Sequence, residues 1–156
     1  MSRTKTKKRV KKVVKPASKV ASNRGRPKKS PFEKKLSKVA AGLNDLAAFC
    51  HEANKKWWHS LRTGKRLKRN KGELIALMHS ELSEALEGAR KDSQDDKIPD
   101  FKAEPVELAD CIIRIMDYAA GFGLDIKSAL IAKMIYNRTR TDHQPSERKK
   151  KGGKKF

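Results

Sequence analysis

The sequence has few of the features that mark several common protein classes. It has two cysteines, Cys50 and Cys111, in 156 residues, which excludes a disulfide-dense scaffold. No apolar run approaches the roughly 20 residues that span a bilayer, and the N-terminus lacks the apolar stretch of a secretory signal. Both cysteines stand among apolar residues of predicted helices, so we expect reduced core thiols in a cytoplasmic protein with no membrane partner.

Acidic residues are missing from two segments of the chain. Residues 1–31 contain thirteen Lys or Arg and no acid, and residues 55–71 contain eight and no acid. Residues 72–130 reverse this balance, with thirteen acids against six basic residues, although the whole chain carries a net charge of +21. A basic protein therefore has an acidic centre, which would repel a phosphate group unless a metal cation neutralised it.

Apolar residues recur at helical spacing through the middle of the chain. We expect a helical segment at about 32–61, a basic loop at 60–71, and helices at about 72–91, 105–120 and 125–140. Pro105 suits a first helical turn, Gly121 and Gly123 suit a helix end, and Asp125 suits an N-cap. No strand pattern competes, which predicts an all-α fold of the four-helix-bundle type.

The same pattern divides the chain into three regions. Residues 1–31 have too little apolar surface to offset the entropy of ordering, which predicts a disordered basic tail. Residues 32–140 form the predicted helical domain, and residues 141–156 form a basic C-terminal tail. The third predicted helix is apolar over about half its circumference, more than one packed face needs. We therefore expect a homodimer or homotetramer.

Two pairs of carboxylates stand on consecutive predicted helices. Glu81 and Glu84 form the first pair, and Glu107 and Asp110 form the second. Residues three apart lie about one turn apart on one side of a helix. Two such pairs facing each other would make an all-oxygen site of the kind that magnesium prefers, and manganese is the alternative. Magnesium in turn suggests a phosphate-bearing substrate.

The first pair is the more unusual. On a helical projection Glu81 falls inside the arc of apolar residues and Glu84 on its border, whereas Glu87 lies on the opposite side. A buried carboxylate without a compensating cation is costly. The second pair shares a polar face with Arg114 and Asp117, so a solvated charged face is an alternative interpretation for that helix.

These motifs resemble the MazG-like all-α nucleoside triphosphate pyrophosphatases. The similarity includes GELIALMHSELSEALEGARKD, EPVELADCIIRIMDYAAGFGLDIKSALIAKMIYNRTR and the Gly-Gly-Lys-Lys ending, and covers about residues 43–140. The resemblance implies hydrolysis of an NTP or dNTP to the monophosphate and pyrophosphate. It also implies metal ligation by the four residues Glu81, Glu84, Glu107 and Asp110, and an oligomeric assembly. We expect Glu81 or Glu84 to help deprotonate the attacking water, and the sequence leaves the choice open.

Candidate substrate contacts lie on the last predicted helix and before the basic loop. Lys133, Asn137 and Arg140 share one helix face, and two cations with an amide suit polyphosphate oxygens. An ordinary solvated face is the alternative, and the match to the family's KxxxNxxR arrangement favours function. Trp57 and Trp58 offer indoles that can stack on a nucleobase, as the resemblance also implies. Core packing is an equally good interpretation for one of the two.

The N-terminal segment suggests a second activity. Its residues Arg24, Gly25, Arg26, Pro27 and Lys28 resemble an AT-hook, a short motif that lies in the minor groove of A·T-rich DNA. Non-specific contact with the phosphate backbone of DNA or other nucleic acid is the simpler expectation, with an RNA-associated tail as a competitor. Two hypotheses follow: a metal-dependent enzyme that its tail tethers to nucleic acid at the nucleoid, or a DNA-binding protein on a MazG-like scaffold with weak catalysis.

Overall fold

The structure is a computed structural model that describes residues 28–152. Its main elements are helices α1 (Pro31–Val39), α2 (Leu43–Ala53), α3 (Lys71–Lys91), α4 (Ala103–Gly121), α5 (Ile126–Thr139) and the short α6 (Pro145–Arg148). Two 3₁₀ turns, Lys55–Trp58 and Thr141–His143, complete them. Within residues 28–152 the only β contacts are two isolated bridges, so the all-α prediction is confirmed for this part of the chain.

The helical segment expected at 32–61 is divided, which corrects the prediction of one continuous element. Helix α1 starts with a capping box, in which Ser30 and Glu33 each accept a hydrogen bond from the other's backbone N–H. It ends at Val39, with the buried Ala40 as its C-cap, and α2 begins after Gly42. Because the break lies between two apolar stretches that each keep helical spacing, periodicity alone did not reveal it.

Helices α3 and α4 pack closely and antiparallel to each other. The Cys111 thiol lies 3.6 Å from the Met78 carbonyl oxygen near the middle of the pair. At its end a Cβ on Gly88 would lie only 2.9 Å from Ala103 Cβ and from the Glu104 backbone nitrogen. Gly88 therefore permits the close approach of the two helices one turn beyond Glu84.

Helix α2 covers the other side of α4. Ala47, Cys50 and Met116 form a buried cluster, against which Leu43, Ala120 and Ile126 pack. Both cysteines are free and buried, as expected. Burial, with the charge of Asp117 second, raises the pKa of the Cys50 thiol, which keeps it protonated.

Helix α5 makes its main contacts with α1 and α2, and none of its residues is fully buried. Asp125 caps it by accepting a hydrogen bond from the Ser128 N–H at 3.0 Å, as expected. The segment expected as a C-terminal tail contains the short helical turns at 141–143 and 145–148. No helix among the described residues is long and apolar enough to cross a membrane.

Candidate metal centre

Three of the four predicted acidic residues meet between α3 and α4. One carboxylate oxygen from each of Glu81, Glu84 and Glu107 lies within 4.8 Å of the other two. The antiparallel packing causes this, because it sets the turn that carries Glu81 and Glu84 against the turn that carries Glu107. Glu81 is 5% exposed, Glu107 is half-buried and Glu84 is exposed. The cluster therefore has a buried floor and an open side.

Asp110 stands one turn further along α4 and is exposed. Its carboxylate is outside the group of three oxygens that lie within 4.8 Å. It is near enough for its charge to act on Glu107. The structure thus brings three predicted ligands together and leaves the fourth beside them.

Burial and the neighbouring negative charges both act on Glu107. The pKa of Glu107 is raised, first by burial, then by a hydrogen bond with Glu81, and then by the charges of Glu84, Glu81 and Asp110. A carboxyl that gains a proton to share with its neighbour relieves the repulsion. A bound cation would relieve it in another way, by favouring the fully ionised form.

The helical projection of α3 shows no cation beside Glu81, and in the structure Arg114 of the facing helix α4 supplies one. Its Nε lies 2.6 Å from Glu81 Oε1, and the guanidinium group is partly exposed. The Nε–H is buried but not aligned for a hydrogen bond, and it has no partner among the described residues. The contact is therefore an ion pair of imperfect geometry. A signal for this role was present in the sequence, since Arg114 follows Asp110 by one turn on the polar face of α4.

A cavity of about 390 Å³ opens beside the cluster. Asp110 and Arg114 of α4 form one wall, and Leu74 and Leu77 of α3 form another. The remaining lining residues are Asn54, Trp57, Arg69, Ile113 and Asp117. Of these, Asn54 and Arg69 were not singled out by the sequence pattern, because both precede α3 and lie outside the helical spacing that relates the acidic residues.

The two tryptophans have different environments. Trp57 is 57% exposed and lines the cavity, whereas Trp58 is 2% exposed and packs in the core. The Trp58 indole N–H donates to both carboxylate oxygens of Asp117, at 2.9 and 3.0 Å, and His51 Nδ1 lies 2.6 Å from one of them. A Cβ on Gly121 would clash with the Trp58 ring at 2.3 Å. Of the two roles considered for these indoles, Trp58 has the packing role.

The predicted substrate residues of α5 lie apart from this cavity, since none of Lys133, Asn137 and Arg140 lines it. Arg140 forms an ion pair with Asp142, and the Lys133 ammonium lies 5.1 Å from the centre of the Tyr136 ring. The Asn137 side-chain oxygen is buried without a hydrogen-bond partner among residues 28–152. A single chain therefore does not gather these three residues at the acidic cluster.

Four residues of the AT-hook-like motif, Arg24 to Pro27, lie outside the described residues, as does most of the tail predicted to be disordered. Lys28 is described and exposed. Comparison of the chain with protein-family models, with curated proteins and with solved structures gave no match. The resemblance of the motifs to the MazG-like proteins therefore stays an expectation, and the acidic cluster with its neighbouring cavity is the basis for a functional proposal.

Proposed function

We propose that this protein is a metal-dependent nucleoside triphosphate pyrophosphohydrolase, which converts an NTP or dNTP and water to the monophosphate and pyrophosphate. The observation that carries the proposal is the approach of one carboxylate oxygen from each of Glu81, Glu84 and Glu107 to within 4.8 Å of the others. Arg114, which pairs with Glu81, also lines the neighbouring cavity. Glu81 is buried, and in a single chain its charge is offset only by the imperfect ion pair with Arg114.

The donor set fits a hard divalent cation. All three ligand atoms are carboxylate oxygens, which suits magnesium or manganese better than a softer metal. The pKa of Glu107 is raised first by burial and then by neighbouring negative charge, and a bound cation would offset that charge. When bound, the metal would polarise phosphate oxygens and lower the pKa of a coordinated water. Glu81, Glu84 and Glu107 would hold it, with Asp110 one turn away.

The cavity residues suit the rest of a nucleotide. The exposed face of Trp57 can stack on a nucleobase, and Arg69 and Arg114 carry guanidinium groups that can pair with phosphate oxygens. Glu81 or Glu84 would accept the proton of the attacking water, because both lie at the cluster where phosphate and water would meet. Lys133, Asn137 and Arg140 would add contacts only if another copy of the chain brought α5 to the site.

A second copy is also favoured by apolar surface that one chain leaves uncovered. Ile75, Leu82 and Leu86 of α3 and Leu108 and Ile112 of α4 are exposed, although they belong to the apolar faces of their helices. Two copies packed on these faces would bury them. We propose that the working form is a homodimer or homotetramer.

The N-terminal segment adds a nucleic-acid partner to the proposal. Thirteen cations without an acid in residues 1–31 release many counterions when they bind a phosphate backbone. Arg24 and Arg26 of the AT-hook-like motif would lie in a narrow minor groove, which attracts arginine. This tail would hold the enzyme in the cytoplasm at the nucleoid.

The deciding experiment is pyrophosphate release from the eight common NTPs and dNTPs with magnesium or manganese. We expect turnover of at least one. Glu84→Gln should lower it by at least about 100-fold, because changes even in outer-shell partners of a metal cost 10–100-fold. Glu87→Gln is the matched control, since Glu87 is exposed on the same helix and pairs with Lys91 outside the cluster.

Two results would contradict the proposal. One is equal turnover in Glu84→Gln and wild type. The other is the absence of turnover with every nucleotide while duplex DNA still binds, which would favour the DNA-binding protein with a weak or inactive site.

A further inference from the structure

The basic segment before α3 folds into a hairpin. The Ser60 N–H donates to the Lys65 carbonyl at 2.9 Å, and the Leu67 N–H donates to the Trp58 carbonyl at the same distance. His59 and Arg66 form an isolated antiparallel bridge. Gly64, at a φ of +67°, closes the tip in a conformation that favours glycine. We define residues 58–68, which are the paired residues 58–67 and the Lys68 that directly follows them, as the basic hairpin.

Arginines at the base of the hairpin attach it to the helical body. Arg66 donates to the Gly121 carbonyl at 2.7 Å, and its guanidinium lies 5.7 Å from the centre of the Trp58 ring. Arg69 donates to the Trp57 carbonyl and pairs with Glu73. The hairpin is therefore a preorganised projection, and ordering it on binding costs little further entropy.

Other cations of the same segment have no role in the fold. The side chains of Arg62, Lys65 and Lys68 are exposed and make no ion pair or hydrogen bond with any described residue. No acid occurs between residues 55 and 71, and the flanking Glu52 and Glu73 are paired with Lys55 and Arg69. Three uncompensated charges on one rigid ribbon repel one another, which an anionic partner would relieve.

An apolar side chain stands at the tip. Leu61 is 91% exposed, more than any other large hydrophobic residue of the described chain. A free nucleotide would pair with the three cations and would leave the apolar tip exposed. In a duplex, repeating phosphates can pair with successive cations, and apolar side chains of minor-groove proteins enter between base steps.

We infer that the basic hairpin is a duplex-DNA-binding element of the helical domain, in which Arg62, Lys65 and Lys68 contact phosphates and Leu61 enters the minor groove. This element is separate from the N-terminal tail and independent of the proposed hydrolysis. It would place a duplex beside the cavity that Trp57 and Arg69 line at the base of the hairpin.

The test compares two triple variants of the full chain that remove the same charge. One is Arg62→Gln with Lys65→Gln and Lys68→Gln. The other is Lys34→Gln with Lys35→Gln and Lys38→Gln, on the exposed side of α1. Binding of a mixed-sequence duplex is measured as salt rises. The hairpin variant should reduce the slope of log affinity against log salt by about 2 to 3, because each lost phosphate contact removes about 0.9. The α1 variant should leave the slope close to that of wild type.

A third variant tests the tip. Leu61→Ala should weaken duplex binding about tenfold without changing the salt slope, since it removes apolar contact and no charge. Thermal melts confirm that each variant folds, and sedimentation gives its oligomeric state.

Three outcomes would overturn the inference. In the first, the hairpin and α1 triple variants lose the same amount of duplex binding. In the second, the hairpin variant keeps duplex binding and loses binding of a free nucleotide, which would make the hairpin part of the substrate site. In the third, Leu61→Ala dissociates an oligomer and duplex binding is unchanged, which would make the tip a contact between copies of the chain.

Discussion

Arg114 Nε lies 2.6 Å from Glu81 Oε1, so the most buried acid of the cluster is paired with a cation from the facing helix. The pair explains how Glu81 is tolerated inside the apolar face of α3 without a metal. Arg114 and a metal would therefore compete for Glu81, because a metal held by Glu81 would have to replace the guanidinium. Arg114 would then be released toward the cavity that it lines.

The first prediction concerns this competition. Arg114→Gln should destabilise the metal-free protein by about 1–2 kcal/mol, because it leaves Glu81 without a cation, and the partial exposure of Arg114 keeps the loss below that of a fully buried pair. Magnesium should then raise the melting temperature of the variant more than that of wild type. Melts with EDTA and with magnesium measure both effects.

Arg90→Gln is the control for this experiment, since Arg90 pairs with Glu87 on the exposed side of α3. Glu81→Gln should lose the gain from magnesium, because it removes a ligand. If Arg114→Gln gains no more from magnesium than wild type does, Arg114 and the metal do not compete for Glu81.

The second prediction follows from the raised pKa of Glu107. A carboxyl whose pKa is higher in the folded state binds its proton more tightly there. Its contribution to stability is complete below the unfolded pKa of about 4.3 and is lost as the pH rises through the folded value. In EDTA, Glu107→Gln should therefore become more stable than wild type as the pH rises toward neutral, and this advantage should disappear at acidic pH.

Thermal melts of wild type and Glu107→Gln from acidic to neutral pH measure whether this advantage in stability grows as the pH rises. Glu104→Gln, an exposed acid one turn earlier on α4, is the matched control. With magnesium the advantage of Glu107→Gln should shrink or reverse, because the metal favours the ionised carboxylate. An advantage that stays constant with pH would show that Glu107 does not titrate differently in the folded and unfolded states.

The third prediction concerns the close approach at Gly88. A Cβ there would meet Ala103 Cβ and the Glu104 nitrogen at 2.9 Å, so Gly88→Ala has to push the start of α4 away from α3. We expect a loss of about 1–3 kcal/mol in the free energy of unfolding, the usual cost of overpacking. Metal affinity should fall as well, since Glu84 and Glu107 stand one turn from this contact.

Denaturant unfolding and calorimetric titration with magnesium measure these two losses. Gly42→Ala is the control, because a Cβ at Gly42 would meet nothing within 4 Å. Unchanged magnesium affinity in a destabilised Gly88→Ala would mean that the spacing of α3 and α4 does not control the cluster.

The fourth prediction concerns the uncovered apolar faces of α3 and α4. Wild type should sediment with at least twice the mass of one chain. Leu82→Lys with Leu86→Lys should shift it toward a single chain, because charged side chains resist burial between copies. Val39→Lys, on an exposed position of α1, should leave the assembly intact. A wild-type protein that sediments as one chain would remove the proposed assembly and, with it, any contribution of α5 from a second copy.

Local patterns in the sequence were enough to predict several features of this protein. Helical spacing and turn residues predicted α3, α4 and α5 to within a few residues, because periodicity, glycine and an Asp N-cap act over one or two turns. The same spacing paired Glu81 with Glu84 and Glu107 with Asp110. The anomaly of Glu81 in an apolar arc was also visible, and Glu81 is indeed buried.

Only the tertiary structure decided which residues meet. The antiparallel register of α3 and α4 brings Glu107 to Glu81 and Glu84 and sets Arg114 against Glu81, and this register depends on contacts such as that of Gly88 with Ala103. Packing also buried Trp58 against Gly121 and left Trp57 at the cavity, and it directed α5 to α1 and α2. Helical periodicity describes one helix at a time, whereas pairing between helices depends on the shapes and charges of both surfaces.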